Sequence, residues 1–468
     1  MNPKLNIIAN NVLVIFGING DLSRRKILPA IYHLIKDDMI PAKTVIIGTS
    51  RQDIKLESII DNVELCVLED SKVCDQKVLM KFKNMLSVLQ FDPNKMHDYL
   101  SLKEHLNSIE DQHKECFNRL FYLSVPPTSV DPIIKRLGLS GLNKACQHNL
   151  GKSRLLIEKP FGNDLKSAKS LIKATTRFFK EDQIFRIDHY LAKETAQNIL
   201  AFRVHNPVFW KLWDKSSISS IEVRALEKIG IENRVNFYEQ MGALKDIVQS
   251  HLLQLLSLVT MEIDPANNIT SDDIHKSKLK LLNQIRPLDH NTIKDVIIGQ
   301  YDTYKAEVSN PSSHVETYIK LRLEINNKRW TKTPVYLETG KALSKKTTEI
   351  ALNFKTKNIK QTNTLTFRIQ PNEGIDIKLI VKEPGLTKKY KEAFMDFSYQ
   401  KTFHQSNHPD AYERVLMDAF KNDQTLFATS DEIIASWKIL DPLLHYWSQN
   451  PKTLVLYKSG SISSQITK

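Results

Sequence analysis

The strongest constraint on the fold lies close to the N-terminus. Residues 11–16, NVLVIF, form an unbroken apolar run of strand length. They lead into the turn Gly17-Ile18-Asn19-Gly20-Asp21-Leu22, then into RRKILPAIYHLIKDD with helical spacing, and strand character returns at 44–47, TVII. Strand, glycine-rich turn, helix and second strand make a βαβ unit. Strand signals recur at FYLSV (121–125), RLLIEK (154–159) and IFRID (184–188). A parallel, doubly wound α/β domain of Rossmann type is expected over residues 1–185.

The pattern then changes. ISSIEVRALE (218–227), SHVETYIKLRLEI (313–325), TTEIALNFK (347–355), TLTFRIQ (364–370) and IDIKLIVK (375–382) alternate in the manner of half-buried strands. GALKDIVQSHLLQLLSLVTME (242–262) reads as a strongly apolar helix, and 411–423 and 430–447 as closing helices. Residues 186–468 are therefore expected to form a large α+β domain with a mostly antiparallel sheet. The Ser-rich tail, KSGSISSQITK, is expected to fray. A length of 468 residues agrees with two or three domains.

Composition excludes some classes and leaves others open. No run of 18 apolar residues occurs, so no membrane span is expected. The start MNPKLNIIANNVLVIFG has a short apolar stretch running into the turn, which reads as a first strand and not a signal peptide. The four cysteines, Cys66, Cys74, Cys116 and Cys146, form no CxxC. His113 and His148 near two of them make isolated pairs, not a metal set, so no metal site is expected. So few cysteines in so long a chain argue against a disulfide framework and for incidental thiols in a reducing cytoplasm. The net charge of +13 favours anionic partners. The basic residues are scattered without aromatic interleaving, so phosphorylated small molecules explain the charge as well as nucleic acid does.

The turn at 17–22 is not a full GxGxxG. Gly17 permits the tight turn, and Gly20 allows backbone to approach a pyrophosphate at a helix N-terminus. Arg51 follows the second strand, where a cofactor's adenosine ribose would lie; a basic residue there can pair with a 2′-phosphate and favours NADP over NAD, although Asp53 is close by. Farther on, Arg186-Ile187-Asp188-His189-Tyr190-Leu191-Ala192-Lys193-Glu194 gathers anion-binding and proton-handling groups near the carboxyl end of a strand. The same residues also read as a helix start with Asp188 as N-cap. His251 sits in DIVQSHLLQ: either a satisfied core histidine, or a base oriented by a carboxylate on a helix that Asp246 and Gln249 make partly polar.

At this point a resemblance becomes specific. DHYLAKE (188–194), GINGDLSRRK (17–26), EKPFG (158–162) followed by DLKSA, VPP (125–127), GALKDIVQSHLLQ, GKAL (340–343), RIQPNE (368–373) and DAYERVLMDAF (410–420) resemble, in order and over more than 400 residues, blocks of the glucose-6-phosphate dehydrogenase family. The resemblance implies oxidation of glucose 6-phosphate at C1 with NADP+ as hydride acceptor. It implies His251 as general base, oriented by Asp188. His189, Tyr190 and Lys193 would grip the sugar phosphate. Lys159 would contact both the reacting end of the sugar and the nicotinamide, and Pro160 matches a proline that is often cis. Glu227 and Asp246 would bind sugar hydroxyls, with Lys341 and Lys346 as further basic contacts. Gly17, Asn19, Gly20, Asp21, Leu22, Arg51 and Pro126 would hold the cofactor. A homodimer or homotetramer through the large sheet is implied, with no nucleic-acid or membrane partner.

The chain also departs from the family pattern. Ile18 and Asn19 replace a small residue and Ser or Thr, Ala192 replaces Gly, and Ser250 replaces Asn. Ile18 is expected to shift the cofactor, and Ala192 to carry strain if its φ is positive. Arg368 fits a region where some relatives bind a second, structural NADP, but the neighbouring matches are incomplete. A dehydrogenase for another sugar phosphate and a catalytically silent sensor stand as alternatives.

Overall fold

Strands without polar alternation suit a sheet covered on both faces, and this is how the first part of the chain folds. The computed structural model describes residues 10–41, 43–60, 75–144, 146, 151–264, 269–356, 362–403, 409–450 and 453–467; Cys66, Cys74 and His148 lie outside them. Strands β1 (Asn11–Phe16), β2 (Val45–Ser50), β3 (Leu86–Gln90), β4 (Asn118–Leu123), β5 (Ser153–Ile157) and β6 (Ile184–Arg186) form one sheet in the order β3-β2-β1-β4-β5-β6. Every pairing is parallel. β1, β4 and β5 are buried along their whole length. Strand order reverses between β1 and β4, the point at which open α/β sheets take their ligands.

The chain divides into two units, Met1–Gly162 with Lys166–Ala192 and Pro409–Ser430, and Asn163–Leu165 with Lys193–His408 and Asp431–Lys468. The expected division at 185/186 therefore differs in two ways. The first unit runs on through the DHYLA segment, and it recovers a piece of chain from near the C-terminus. Helix Ala411–Lys421 carries Ala411, Val415, Leu416 and Ala419 at helical spacing, and these join the core of Ile27, Ile31 and Ile35 beside β1. Its polar edge is fixed too: His33 Nδ1 lies 2.6 Å from Glu413 Oε1, and Arg154 Nη1 donates to Ala419 O at 2.7 Å.

The second unit is built on nine strands: β7 (Ile218–Leu226), β8 (Ile297–Tyr301), β9 (Tyr318–Glu324), β10 (Pro334–Gly340), β11 (Thr347–Phe354), β12 (Thr364–Gln370), β13 (Gly374–Lys382), β14 (Tyr390–Ser398) and β15 (Val455–Tyr457), in the order β14-β13-β12-β11-β7-β10-β9-β8-β15. The sheet is antiparallel except for β7 with β10 and β8 with β15. Alternation is plain in β12, where Leu365, Phe367 and Ile369 are buried and Thr364, Thr366 and Arg368 are not.

The apolar stretch 242–262 is not one helix. Helix Val235–Ala243 ends at Gly242, whose φ is +63°, and a π-helical segment Leu244–Leu252 leads into helix Leu253–Thr260. Side chains satisfy the carbonyls at its far end, which a buried helix terminus requires. Arg203 donates to Leu258 O and Met261 O, Trp213 to Val259 O and Trp330 to Thr260 O, at 2.5–2.8 Å.

Two expectations are corrected. The tail does not fray: Gly460 N donates to Ala342 O at 2.8 Å, Ser344 N to Ser461 O at 3.0 Å, and Ile466 is buried. Cys116 and Cys146 are not free thiols but a disulfide with Cα atoms 5.9 Å apart. Cys116 lies two residues before β4 and Cys146 seven before β5, strands that pair side by side. No described helix is long and apolar enough to cross a membrane. A cross-link closing 30 residues stabilises by roughly 3–4 kcal/mol in the loop-closure account. Cys116→Ser should therefore lower the urea midpoint of oxidised protein, and dithiothreitol should lower wild type to the same value while leaving the variant unmoved.

Candidate active site

In the first unit, the turn after β1 is shaped by backbone. Gly17 has φ +82°, and a Cβ there would lie 2.4 Å from Ser124 O. Gly17 N and Ile18 N donate to Thr49 O at 3.2 and 3.1 Å, and Gly20 N to Gly17 O at 2.9 Å. Ser23 Oγ bonds both Gly17 O (3.0 Å) and Ser124 Oγ (2.9 Å), tying the turn to the end of β4. A cavity of about 690 Å³ opens over the carboxyl ends of β1, β2 and β4. Gly17, Asn19, Gly20, Arg51 and Pro126 line it; Asp21 and Leu22 do not. Asp21 is exposed and pairs with Arg25 at 2.8 Å, and Leu22 packs on the core. Arg51 is exposed at the cavity and forms no ion pair among the described residues. Ser124 and Thr49 were missed in the sequence, because a hydroxyl beside a strand end carries no local signal.

These features fit a nicotinamide dinucleotide with a 2′-phosphate. A glycine cradle meets the pyrophosphate, and Asn19 and Arg51 supply a donor and a cation. Ile18 does not disturb the cradle. It is fully buried against Gly48 of β2, where a Cβ would come within 2.7 Å of it, so its bulk goes into the core instead of the cavity.

The remaining sites on this unit cluster after β5 and β6. Ile187 N donates to Ile157 O at 2.9 Å, extending the β5–β6 pairing up to Asp188. Asp188 is buried, and its Oδ1 and O accept from Tyr190 N and Leu191 N, both at 3.0 Å, forming the turn that presents His189 and Tyr190. The helix begins at Glu194, so Asp188 is not its N-cap. Ala192 is buried in the core and is not among the residues with positive φ, so the loss of glycine costs nothing there. The Lys159–Pro160 bond is cis. Glu158 accepts from Tyr122 Oη at 2.5 Å. Burial pushes its carboxyl up to about 7, helped by Asp188 and opposed by the Tyr122 hydrogen bond and Lys159.

In the second unit the sheet register assembles the site. β7 and β10 run parallel with Leu226 opposite Gly340, so the next residues, Glu227 and Lys341, emerge together although 114 positions apart; they form an ion pair. β11 places Thr347 opposite Leu226, which brings Lys346, exposed, to the same end of the sheet. Lys341 Nζ lies 5.5 Å from the ring centre of buried Tyr238, within cation–π range. The π-helical segment packs on this sheet and carries Asp246 and His251, both buried. Arg234 Nη2 reaches Asp246 Oδ2 at 3.3 Å. Lys193 stands at the N-cap position of helix Glu194–His205. Arg234 and Tyr238 were not singled out in the sequence, where nothing near them marks a site. Arg368 is already committed to Asp376, Asp396 and the carbonyls of Asn372 and Phe397.

Residues 14–198 match the family model for "Glucose-6-phosphate dehydrogenase, NAD binding domain" and 200–467 that for "Glucose-6-phosphate dehydrogenase, C-terminal domain". The chain belongs to the glucose-6-phosphate dehydrogenase family. It is 37% identical to the glucose-6-phosphate 1-dehydrogenase of Chlamydia muridarum, over 99% of this chain and 96% of that one, and 38% identical to that of Buchnera aphidicola subsp. Schizaphis graminum, over 96% and 94%. Its fold is similar to a solved glucose-6-phosphate dehydrogenase in complex with its substrate glucose-6-phosphate, with TM-score 0.88, 32% identity and coverage of 97% and 95%. The Mycobacterium avium enzyme gives 0.83, 32%, 97% and 94%. Both halves of this family member therefore lie in one chain, the NADP-binding Rossmann-type fold and the mixed α+β fold.

Two outcomes follow. Gly17→Ala should abolish NADP+ binding measured by calorimetry, because the new Cβ meets backbone and not a movable side chain. The raised Glu158 carboxyl keeps its proton in the native state between about 4.5 and 7, where the unfolded chain has lost it. Stability should therefore fall as pH rises through that window and level off above it. Burial likewise pushes Asp418 up to about 7, so it adds to the slope. Glu158→Gln should flatten the urea midpoint–pH curve in part, and Glu158→Gln with Asp418→Asn should flatten it further.

Proposed function

We propose that His251 is the general base of this enzyme and that Asp188 orients it. The reaction is oxidation of D-glucose 6-phosphate at C1 to 6-phospho-D-glucono-1,5-lactone with NADP+ as hydride acceptor, the first oxidative step of the pentose phosphate pathway. The observation that carries the residue assignment is the polar cluster of the second unit, where buried Lys341, Asp246 and His251 stand among apolar neighbours and half-buried Glu227 pairs with Lys341. Buried ionisable groups are costly unless paired or used. In this reading His251 Nε2 or Nδ1 takes the C1 hydroxyl proton, and the carboxylate of Asp188 favours the imidazolium that results. Lys341 and Glu227 hold each other's charge before substrate binds, and Asp246 and Glu227 accept from sugar hydroxyls. His189, Tyr190 and Lys193 grip the phosphate, with Lys346 a further basic contact, so that binding energy remote from C1 orients the reacting end. Lys159 contacts the reacting end. Gly17, Asn19, Gly20, Arg51 and Pro126 hold the cofactor, with Arg51 selecting the 2′-phosphate.

We place the enzyme in the cytoplasm as a homodimer or homotetramer. Strand β14 lies at the sheet edge and exposes Tyr390, Phe394 and Met395, which supports assembly through this sheet.

The decisive test is NADPH formation followed at 340 nm with glucose 6-phosphate. Wild type should reduce NADP+ rapidly and NAD+ slowly. His251→Asn should lose roughly 10²- to 10⁴-fold in kcat, the usual worth of general-base assistance. Equal rates with both cofactors would remove the role given to Arg51. An unchanged kcat in His251→Asn would remove the base.

A further inference from the structure

The segment Glu316-Thr317 touches both halves of the second unit's polar cluster. Glu316 is 2% exposed. Its backbone O accepts from Ala243 N at 2.9 Å and its Oε1 from Leu244 N at 3.2 Å. These are the amides at the start of the π-helical segment that carries Asp246 and His251. A carboxylate there satisfies an amide with no intrahelical partner and opposes the positive end of the helix dipole. The approach exists because residue 242 is glycine. Its φ is +63°, and a Cβ would stand 2.5 Å from Glu316 Oε1. The neighbouring residue serves the other half. Thr317 O accepts from Lys341 N at 3.0 Å, and Thr317 Oγ1 lies 2.9 Å from Tyr457 Oη, which donates to Lys341 O at 2.8 Å.

We infer that Glu316 is a positioning residue for the sugar site: it fixes where the Asp246–His251 segment begins relative to the Glu227–Lys341 pair. This rests on the roles proposed above for those four residues. The segment is joined to the preceding helix through the kink at Gly242, so a capping bond is what sets its rotation and rise. Asp246 lies two residues past the capped amide and His251 seven. Loosening the cap displaces the hydroxyl contact first and the base with it, and a misplacement near 1 Å costs up to about 10²-fold.

The test compares Glu316→Gln, Glu316→Asp and Gly242→Ala in the full-length enzyme, with steady-state kinetics for each substrate and the urea midpoint of each variant. Glutamine keeps an acceptor at the same reach. Aspartate keeps the charge but is one methylene short of Leu244 N. The added methyl at 242 pushes the carboxyl away. The expected result is a KM for glucose 6-phosphate raised roughly tenfold, with kcat lowered, in Glu316→Asp and Gly242→Ala. Glu316→Gln should stay within about threefold of wild type, and the KM for NADP+ should be unchanged throughout, since the cofactor cavity belongs to the first unit. Unchanged glucose 6-phosphate kinetics in folded Glu316→Asp would overturn the inference, as would a Glu316→Gln enzyme as impaired as Glu316→Asp. Should Gly242→Ala fail to fold, the Asp and Gln pair decides alone. An inactive wild type would instead defeat the proposed function, which keeps the two failures distinct.

Discussion

The second unit depends on the pairing of Arg224 with its two flanking carboxylates. The guanidinium stands in β7, directly opposite Glu338 of β10 and Glu349 of β11 in the strand registers. Its Nε reaches Glu338 at 3.1 Å and its Nη1 Glu349 at 3.4 Å. Glu338 is almost wholly buried and also accepts from Tyr318 Oη at 2.8 Å. A slip of one residue in either pairing would move this arginine to the other face and leave a buried carboxylate without its cation, a loss of several kcal/mol. Because the register is held there, the chain leaves β7 and β10 and enters β11 at one common end. Glu227, Lys341 and Lys346 inherit their proximity from that.

What the sequence reveals follows from what is local. The first βαβ unit, the alternation of β12 and β13 and the Asp188–Glu194 segment are legible because period, turn residues and strand ends lie within a few positions. The parallel pairing of β7 with β10 is not: the alternation marks β7 as a strand without saying which strand lies beside it, and β10 carries PVYLETG, whose proline and charges read weakly. The disulfide escapes for the same reason, since Cys116 and Cys146 meet only after β4 and β5 have paired. Residues 411–423 are legible as a helix, but their membership of the first unit depends on which apolar surface is left uncovered by helix Leu28–Lys36 and β1. The tail looks disordered by composition, yet backbone bonds to Ala342 and Ser344 hold it.

The break at Gly242 shows the same limit inside a single element. The run GALKDIVQSHLLQLLSLVTME has an apolar profile that favours one helix, and Gly242 at its head is a weak signal against it. The competing force is tertiary. Glu316 comes up beside Gly242, takes the two amides that a continuous helix would have bonded internally, and thereby ends one helix and begins another. The next nine residues wind as a π-helix and are buried except for Lys245, so Asp246 and His251 share the interior with Leu244, Ile247, Val248 and Leu252. Local irregularity at a point where polar groups are buried is the pattern expected when function outweighs propensity.

The departures from the family pattern sort by how each site works. In the first unit the cofactor turn is made by backbone amides and by glycines that admit them, so side chains that point elsewhere are free to vary. Ile18 enters the core beside Gly48, and Ala192 sits in ordinary backbone in the same core. In the second unit the cluster is made by side chains whose charges need each other. Replacing Lys341 would strand Glu227, and replacing Arg234 would weaken the compensation of buried Asp246. A backbone-built site tolerates change in its side chains while its glycines stay. A site of mutually paired charges holds its charged members, and the departure beside it, Ser250, is an uncharged residue whose Oγ donates to Asp246 O at 3.2 Å. That difference accounts for substitutions near the nucleotide turn alongside intact Glu227, Asp246, His251 and Lys341.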